Sequence, residues 1–525
     1  MHIKINPSTQ RVILIGTAVF AMLWVLARAC VQTITVDEAV TYMNFVRPPF
    51  PSHWRPHANN HILNSMLMRV FTSVFGSSHL TVRSGALVGA AVYISAAYLL
   101  CRLISRDFLL RWCLFVCLVF NPMVFDFLVA ARGYGLAMAF LACAIGVVAA
   151  SKREEAKWPR SLVTACGLSS ACAALSFVSN FSFALVDAAA VLMLYLWACG
   201  PARLQEISRS TGMRGRIQLL AASVLPGILV TAVLAGSEVL NWPDGQFTWG
   251  SVSMAETLRS VYEASMYELN PFIVNPLFYQ TLQRWSVWIL PLVGAICVWR
   301  LVLIALNRFS LRDRRARWLL GLGAVLAAAL ALTLTLHWLV FRLFQVLLPK
   351  DRTAIYMVVL CTLFIGVVAA VRIPSRAGEL SGRCMTIVLS VLACYFLLCL
   401  RIGYFKEWKF DSDVDKVYSA IAYYNHTCDV TDVITNSRYD ASLNFYGALS
   451  GRETLSAFDT APQDHYPLGK RAYVLFYPED QRFIEEHGLK VVYRAPSGAT
   501  VVVDPAQMPP GKDACVSAAP GTGLR

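Results

Sequence analysis

Apolar positions in this chain come in continuous blocks, each long enough to cross a hydrocarbon layer, which takes about 20 residues as a helix. Eleven such windows are predicted as helices, near 12–30, 80–101, 112–127, 133–150, 161–178, 181–199, 217–237, 285–306, 318–337, 353–371 and 384–401. They do not alternate apolar and polar positions over short strands, so a transmembrane barrel is excluded. Beyond residue 401 the pattern changes. The apolar runs become short and β-rich, at Val430 to Thr435, Ala472 to Phe476, Leu489 to Tyr493 and Thr500 to Val503. Helix-like stretches, Asp413 to Tyr424 and Pro478 to His487, lie between them, the second closed by Gly488. The expected fold is a polytopic α-helical membrane protein of about 11 spans over residues 1–401, followed by an extracytoplasmic α/β domain over 402–525.

Composition supports that division. Of the 525 residues 57% are hydrophobic and 15% charged, far from the quarter expected of a soluble enzyme. With an N-terminus in the cytoplasm, 22 of the 34 Lys and Arg of 1–401 fall in cytoplasmic segments, as the positive-inside bias requires. The net charge of +14 is therefore mostly topology, and no nucleic-acid partner is called for. An odd number of spans places the tail outside. The tail holds 12 Lys and Arg against 16 Asp and Glu, and its cysteines, Cys428 and Cys515, are candidates for a disulfide if the domain is exported. The other cysteines lie mostly in apolar runs and read as small core residues. Ala27-Arg28-Ala29 resembles a cleavage site, but the apolar run from Val12 is long for a signal peptide, so a retained first helix is expected.

On this topology two external loops, 31–79 and 238–284, exceed simple turns and are expected to carry function. The first places Asp37 and Glu38 just past a membrane helix. A carboxylate there suits general-base work, although Thr35 or Asp37 could equally cap a short interfacial helix. His53, His57 and His61 recur at helical spacing, but Pro56 opposes a continuous helix, so a three-histidine metal site is not expected. His57, Asn60 and His61 read either as groups that bind a polar substrate or as ordinary loop residues. Asp126 and Arg132 stand nearly alone at the outer surface, as an ion pair or as a cation for an anionic ligand. Arg342, Lys350 and Arg352 sit outside against the positive-inside bias, so phosphate binding or snorkelling to lipid headgroups accounts for them. Asp187 reads as a helix-packing group, and the acids Glu238, Asp244, Glu256, Glu263 and Glu268 cannot be ranked by sequence.

Taken together, Asp37-Glu38, Trp54, Pro56, Asn60 to Leu63, Phe75-Gly76-Ser77, Arg83, Ala131-Arg132-Gly133-Tyr134 and Pro349 to Tyr356 resemble the GT-C superfamily of membrane glycosyltransferases. The likeness is to the bacterial branch of protein O-mannosyltransferases and the lipid A aminoarabinose transferase, which use polyprenyl-phosphate sugars. It spans roughly residues 10–400 in architecture, through short motifs. The resemblance implies Asp37, with Glu38 beside it, as the catalytic site, and Arg132, Lys350 and Arg352 as binders of the donor phosphate. His57, Asn60, His61, Tyr134 and Tyr356 become the substrate-binding candidates. It also implies a bacterial inner membrane location with a periplasmic tail, a polyprenyl-phosphate sugar donor, a glycan, lipid or protein acceptor, and contact with membrane lipids. Asn59-Asn60-His61 departs from the Lys-Pro-Pro stretch of aminoarabinose transferases. No acidic metal pair of the oligosaccharyltransferase kind stands out, so no cofactor is expected, with a divalent metal as the alternative. A transporter or flippase and a polysaccharide polymerase or ligase are the competing functions. No internal repeat favours the transporter.

Overall fold

A computed structural model describes the chain except for residues 1–5, 50–55, 154–160, 201–211, 244, 247–248, 267–276, 278–280, 282–283, 286, 308–312, 452–454, 456, 462–464, 510–512 and 517–525. The chain divides into two compact units. The first comprises Met1–Leu26, Pro56–Asn64 and Gly85–Arg401, and the second comprises Ala27–Arg55, Ser65–Ser84 and Ile402–Arg525.

Among the described residues, ten helices are long and apolar enough to cross a membrane: Pro7–Val31, Ser84–Ile104, Tyr134–Ser151, Leu162–Ser179, Phe181–Ala198, Met213–Leu240, Ile289–Leu306, Arg314–Phe344, Asp351–Ala370 and Arg376–Leu398. The window at 112–127, expected as an eleventh span, is instead two short helices, Phe108–Val119 and Pro122–Phe127. Pro122 has no N–H with which to continue the first helix, and it suits the first position of a new one. Asn121 starts that helix, its side-chain oxygen accepting from the N–H groups of Met123 (3.1 Å) and Val124 (3.3 Å).

Small and polar residues hold the helices of the first unit together, as expected where lipid supplies no hydrophobic contrast. The Gly227 N–H donates to Ser170 Oγ at 3.0 Å. Arg300, on helix Ile289–Leu306, is fully buried. It donates to the carbonyls of Val368 (3.1 Å), Ala369 (3.3 Å) and Val371 (2.7 Å), at the C-terminal end of helix Ile355–Ala370 where a cation is favoured.

In the second unit, residues 402–525 build a mixed five-stranded sheet from β1 (Val433–Asn436), β2 (Asp459–Ala461), β3 (Ala472–Phe476), β4 (Lys490–Arg494) and β5 (Ala499–Val503), in the order β2-β1-β3-β5-β4. Strands β2, β1 and β3 run parallel, while β5 pairs antiparallel with β3 and β4. Tyr473, Leu475 and Val502 pack with Phe483 and Ile484 of helix Gln481–Glu486. Beneath them buried Asp480 accepts from the Phe476 N–H (2.7 Å), Tyr466 Oη (3.1 Å) and Asn436 Nδ2 (3.2 Å), so its charge is hydrogen-bonded within the core. Cys428, ending helix Val414–Cys428, forms a disulfide with Cys515. Strand β2 and helix Asp440–Ser450 were not anticipated from the sequence.

Candidate active site

In the second unit, the two adjacent carboxylates have different surroundings. Thr35 starts the six-residue helix Val36–Thr41. Its hydroxyl accepts from the Glu38 N–H (3.2 Å), and Glu38 Oε2 accepts from the Thr35 N–H (3.0 Å), which makes a capping box. Glu38 is fully buried, and its carboxylate receives Arg83 Nε at Oε1 (2.9 Å) and Arg83 Nη2 at Oε2 (2.8 Å). Arg83 donates further to the carbonyls of Ala29 (3.1 Å), Gln32 (2.7 Å) and Thr33 (2.6 Å), and its guanidinium lies 5.3 Å from the Phe405 ring centroid. Glu38 is therefore committed to holding this segment in place. Asp37 is half-buried on the same short helix.

A third carboxyl meets this segment. Asp411 is buried, and its Oδ2 accepts from the Val36 N–H at 2.7 Å. Burial first, and then the charges of Asp37 and Glu38, push the Asp411 carboxyl well above the usual carboxylate range. Past Thr41 the chain continues as a π-helical turn, Tyr42–Val46, a geometry that often marks functional sites. A cleft of about 540 Å³ opens beside it, lined by Val40, Asn44 and Arg47 on one side and Asp440, Asn444 and Phe458 on the other.

In the first unit, a buried acid organises the loop that carries the histidines. Glu238 Oε1 accepts from the His57 N–H (3.1 Å) and from Asn60 Nδ2 (3.0 Å), while the Ala58 N–H donates to Gln246 Oε1 (3.0 Å). The neighbouring turn is held just as firmly, because Asn64 Nδ2 donates to the Ala131 carbonyl (2.9 Å) and Asn180 Nδ2 to the Arg132 carbonyl (3.3 Å). Gly133 adopts φ +74°, and a Cβ there would run into the Ser179 carbonyl oxygen, so only glycine fits. Arg132, so placed, donates through Nη2 to Asn59 Oδ1 at 3.2 Å.

His61 sits where these segments meet. Its ring is 5.8 Å from that of Tyr134, and neither of its nitrogens has a hydrogen-bond partner among the described residues. Burial first, and then the charges of Arg132 and Arg352, hold its pKa well below the ordinary histidine value. The result is a neutral imidazole flanked by arginine charge. Lys350 is paired with Glu256 at 3.0 Å, a bond that lowers the Glu256 pKa and raises that of Lys350. Lys350 Nζ and the Arg352 guanidinium lie 5.9 Å and 5.7 Å from the Trp249 ring centroid. Tyr356 is fully buried, its ring stacked 6.1 Å from that of His337 and meeting that of Phe183 edge-on at 5.7 Å.

The candidates thus fall into two groups, Asp37 and Glu38 in the second unit and His57, Asn60, His61, Arg132, Tyr134, Lys350, Arg352 and Tyr356 in the first. The sequence offers Asp126 and Arg132 either as an ion pair or, for Arg132, as a cation for an anionic ligand, and the structure gives each a further partner. Asp126 is ion-paired with Arg401, and Arg132 bonds to Asn59. His53, Trp54, Asp244 and Glu268 lie outside the described residues. Glu238, one of five unranked acids, emerges as the anchor of the histidine loop. Asp411 and its contact with Val36 left no mark in the sequence, since the two are 375 positions apart.

The chain matches no protein-family model and no curated protein sequence. Among solved structures it is similar to ArnT from Cupriavidus metallidurans bound to undecaprenyl phosphate, at 12% identity over 95% of this chain and 99% of that one, with a TM-score of 0.47. It is also similar to the archaeal oligosaccharyltransferase AglB from Archaeoglobus fulgidus, in complex with an inhibitory peptide and a dolichol-phosphate, at 12% identity over 95% and 75% of the two chains and a TM-score of 0.40. A third likeness is to the arabinofuranosyltransferase AftD from Mycobacteria, at 13% identity, a TM-score of 0.45, and coverage of 94% of this chain and 40% of that one. Likeness this distant does not assign a function to the present chain.

Proposed function

We propose that the chain is a membrane glycosyltransferase of the GT-C type, moving a sugar from a polyprenyl-phosphate donor to an acceptor hydroxyl. The observation that carries this reading is the buried His61, packed against the Arg132-Gly133 turn and with both ring nitrogens lacking a hydrogen-bond partner among the described residues. Arginine beside a neutral imidazole, in a unit made of membrane-length helices, suits the phosphate of a lipid carrier. Such a donor brings its own leaving group. The protein must align the acceptor oxygen opposite the C1–O bond and neutralise charge on the departing phosphate.

In the proposed reaction the acceptor oxygen bonds to C1 as the bond from C1 to the phosphate oxygen breaks, which inverts the anomeric carbon. Asp37 takes the acceptor proton, and Arg132 and Arg352 stabilise the released polyprenyl phosphate. Glu38 is taken up by Arg83, and the half-buried Asp37 beside it is assigned the base role. The cleft at Val40, Asn44 and Arg47 lies along the helical segment that follows Asp37, which suits it to an acceptor.

The test is mass spectrometry of the detergent-purified protein with a panel of undecaprenyl-phosphate sugars, scoring binding and sugar release. Wild type is expected to bind and turn over at least one donor. Asp37→Asn is expected to bind it while losing turnover by about 10²- to 10⁴-fold, the usual worth of a general base. Neither binding nor turnover by wild type across the panel would remove the donor assignment.

A further inference from the structure

We propose that Asp411 is a positioning residue for Asp37, so that the C-terminal part of the chain sets the geometry of the reactive carboxylate. This inference rests on the reading of Asp37 as the base. A helix of six residues cannot hold itself in water, because nucleation alone is unfavourable. The helix Val36–Thr41 depends on what binds its first turn, where N–H groups lack partners inside the helix.

Three of the bonds that fix this turn come from beyond residue 401. Asp411 Oδ2 accepts from the Val36 N–H at 2.7 Å, the Asp411 carbonyl accepts from Thr33 Oγ1 at 2.6 Å, and Tyr446 Oη accepts from the Ile34 N–H at 3.3 Å. Asp411 thus holds the chain on both sides of the Thr35 cap, its carbonyl accepting from the Thr33 hydroxyl and its side chain from the Val36 N–H. It is 1% exposed, so water does not compete for these bonds. The gripped residue Val36 immediately precedes Asp37. A base must be held to within about 0.5 Å to work, and a misplacement of 1 Å can cost about 10²-fold in rate. Loss of the Asp411 side chain removes the acceptor for Val36 and leaves the donor-binding cations of the first unit unaltered in sequence. The effect belongs on kcat, and not on donor affinity.

The experiment compares full-length wild type, Asp411→Ala, Asp411→Asn and Asp37→Asn. It measures kcat with a donor that wild type turns over, affinity for undecaprenyl phosphate, and hydrogen–deuterium exchange of the peptide covering 33–42. Asp411→Ala is expected to lower kcat about 10²-fold, keep affinity within about twofold and lose protection at 33–42. Asp411→Asn keeps an acceptor oxygen and is expected to restore most of kcat and the protection. Wild-type kcat in Asp411→Ala, with Asp37→Asn inactive, overturns the positioning role while the base assignment stands. Failure of Asp411→Asn as complete as that of Asp411→Ala also overturns it. Should Asp37→Asn itself turn over normally, the base assignment falls and the exchange data decide. Lost protection in Asp411→Ala upholds the clamp on Val36, and unchanged protection rejects it.

Discussion

The segment around Asp37 and the loop around His61 are both buried and polar, yet they are built on opposite plans. Around Asp37 almost every strong group is used internally. Glu38 serves a cap and an ion pair at once, and Arg83 donates to three carbonyls as well as to Glu38. Around His61 the backbone is tightly held by Glu238, Asn64 and Asn180, while the imidazole at its centre bonds to nothing among the described residues. The first plan fixes a side chain in space. The second leaves a buried imidazole without a hydrogen-bond partner among the described residues, and on the proposed reading that is where an anion binds.

The sharpest way to break the comparison is Arg83→Ala. It strands the buried Glu38 charge, and removing one partner of such a pair costs about 3–5 kcal/mol. Thermal unfolding is expected to begin far earlier in this variant, whereas an equally stable Arg83→Ala would show that the segment is not held by this pair. The next effect in size is on the other region. Arg132→Ala and Arg352→Ala are each expected to weaken polyprenyl-phosphate binding by about 10- to 100-fold, the worth of one charge-assisted hydrogen bond, with a small change in melting temperature. Isothermal titration and a melting curve on the same sample separate the two.

Acidity sharpens the comparison further, because it acts on the two regions with opposite sign. His61, facing Arg132, Arg352 and Tyr134, has a pKa held below its ordinary 6.5. The unfolded chain therefore binds its proton first, and stability from this group is lost as pH falls below that value. Asp411 faces Asp37, Glu38, Tyr439 and Ser442, and its pKa lies above the ordinary 3.8. The folded chain binds that proton first, so stability from this group rises as pH falls toward 3.8. In melting curves across pH, His61→Gln is expected to flatten the loss below 6.5. Asp411→Asn should raise the melting temperature at neutral pH, with the gain disappearing toward 3.8. Equal slopes in variant and wild type would show that neither group carries the effect. Smallest is Lys350→Gln, expected to weaken donor binding less than Arg352→Gln does, because Lys350 already shares its charge with Glu256.

Hydropathy made the membrane helices legible, and the β-rich runs of the tail became strands β1, β3, β4 and β5. The break at Asn121-Pro122 was legible in principle from the proline, but a continuous apolar run outweighed it. Strand β2 has only three residues, Asp459–Ala461, with two of them exposed, and carries almost no hydrophobic signal of its own. For the site, the residues themselves present Asp37 and Glu38 as an adjacent pair, and only the family resemblance favours Asp37 as the base. What separates them is Arg83, which lies 45 positions from Glu38 and finds it only in the folded chain. Glu238 was indistinct among five acids for a similar reason, since its partners His57 and Asn60 come from a loop more than 170 positions earlier. Local pattern reports which residues are polar, and long-range contact decides which of them are spoken for.

The grip of Asp411 and Tyr446 on Thr33, Ile34 and Val36 also has a consequence for biosynthesis. Synthesis reaches Asp37 long before these two anchors, which follow all ten of the membrane-length helices found among the described residues. A nascent or truncated chain already contains Arg132 and Arg352 but lacks the two side chains that complete the start of the Asp37 helix. The start of the Asp37 helix therefore gains its full set of backbone partners only once the chain has been made through Tyr446, hundreds of positions after Asp37 itself.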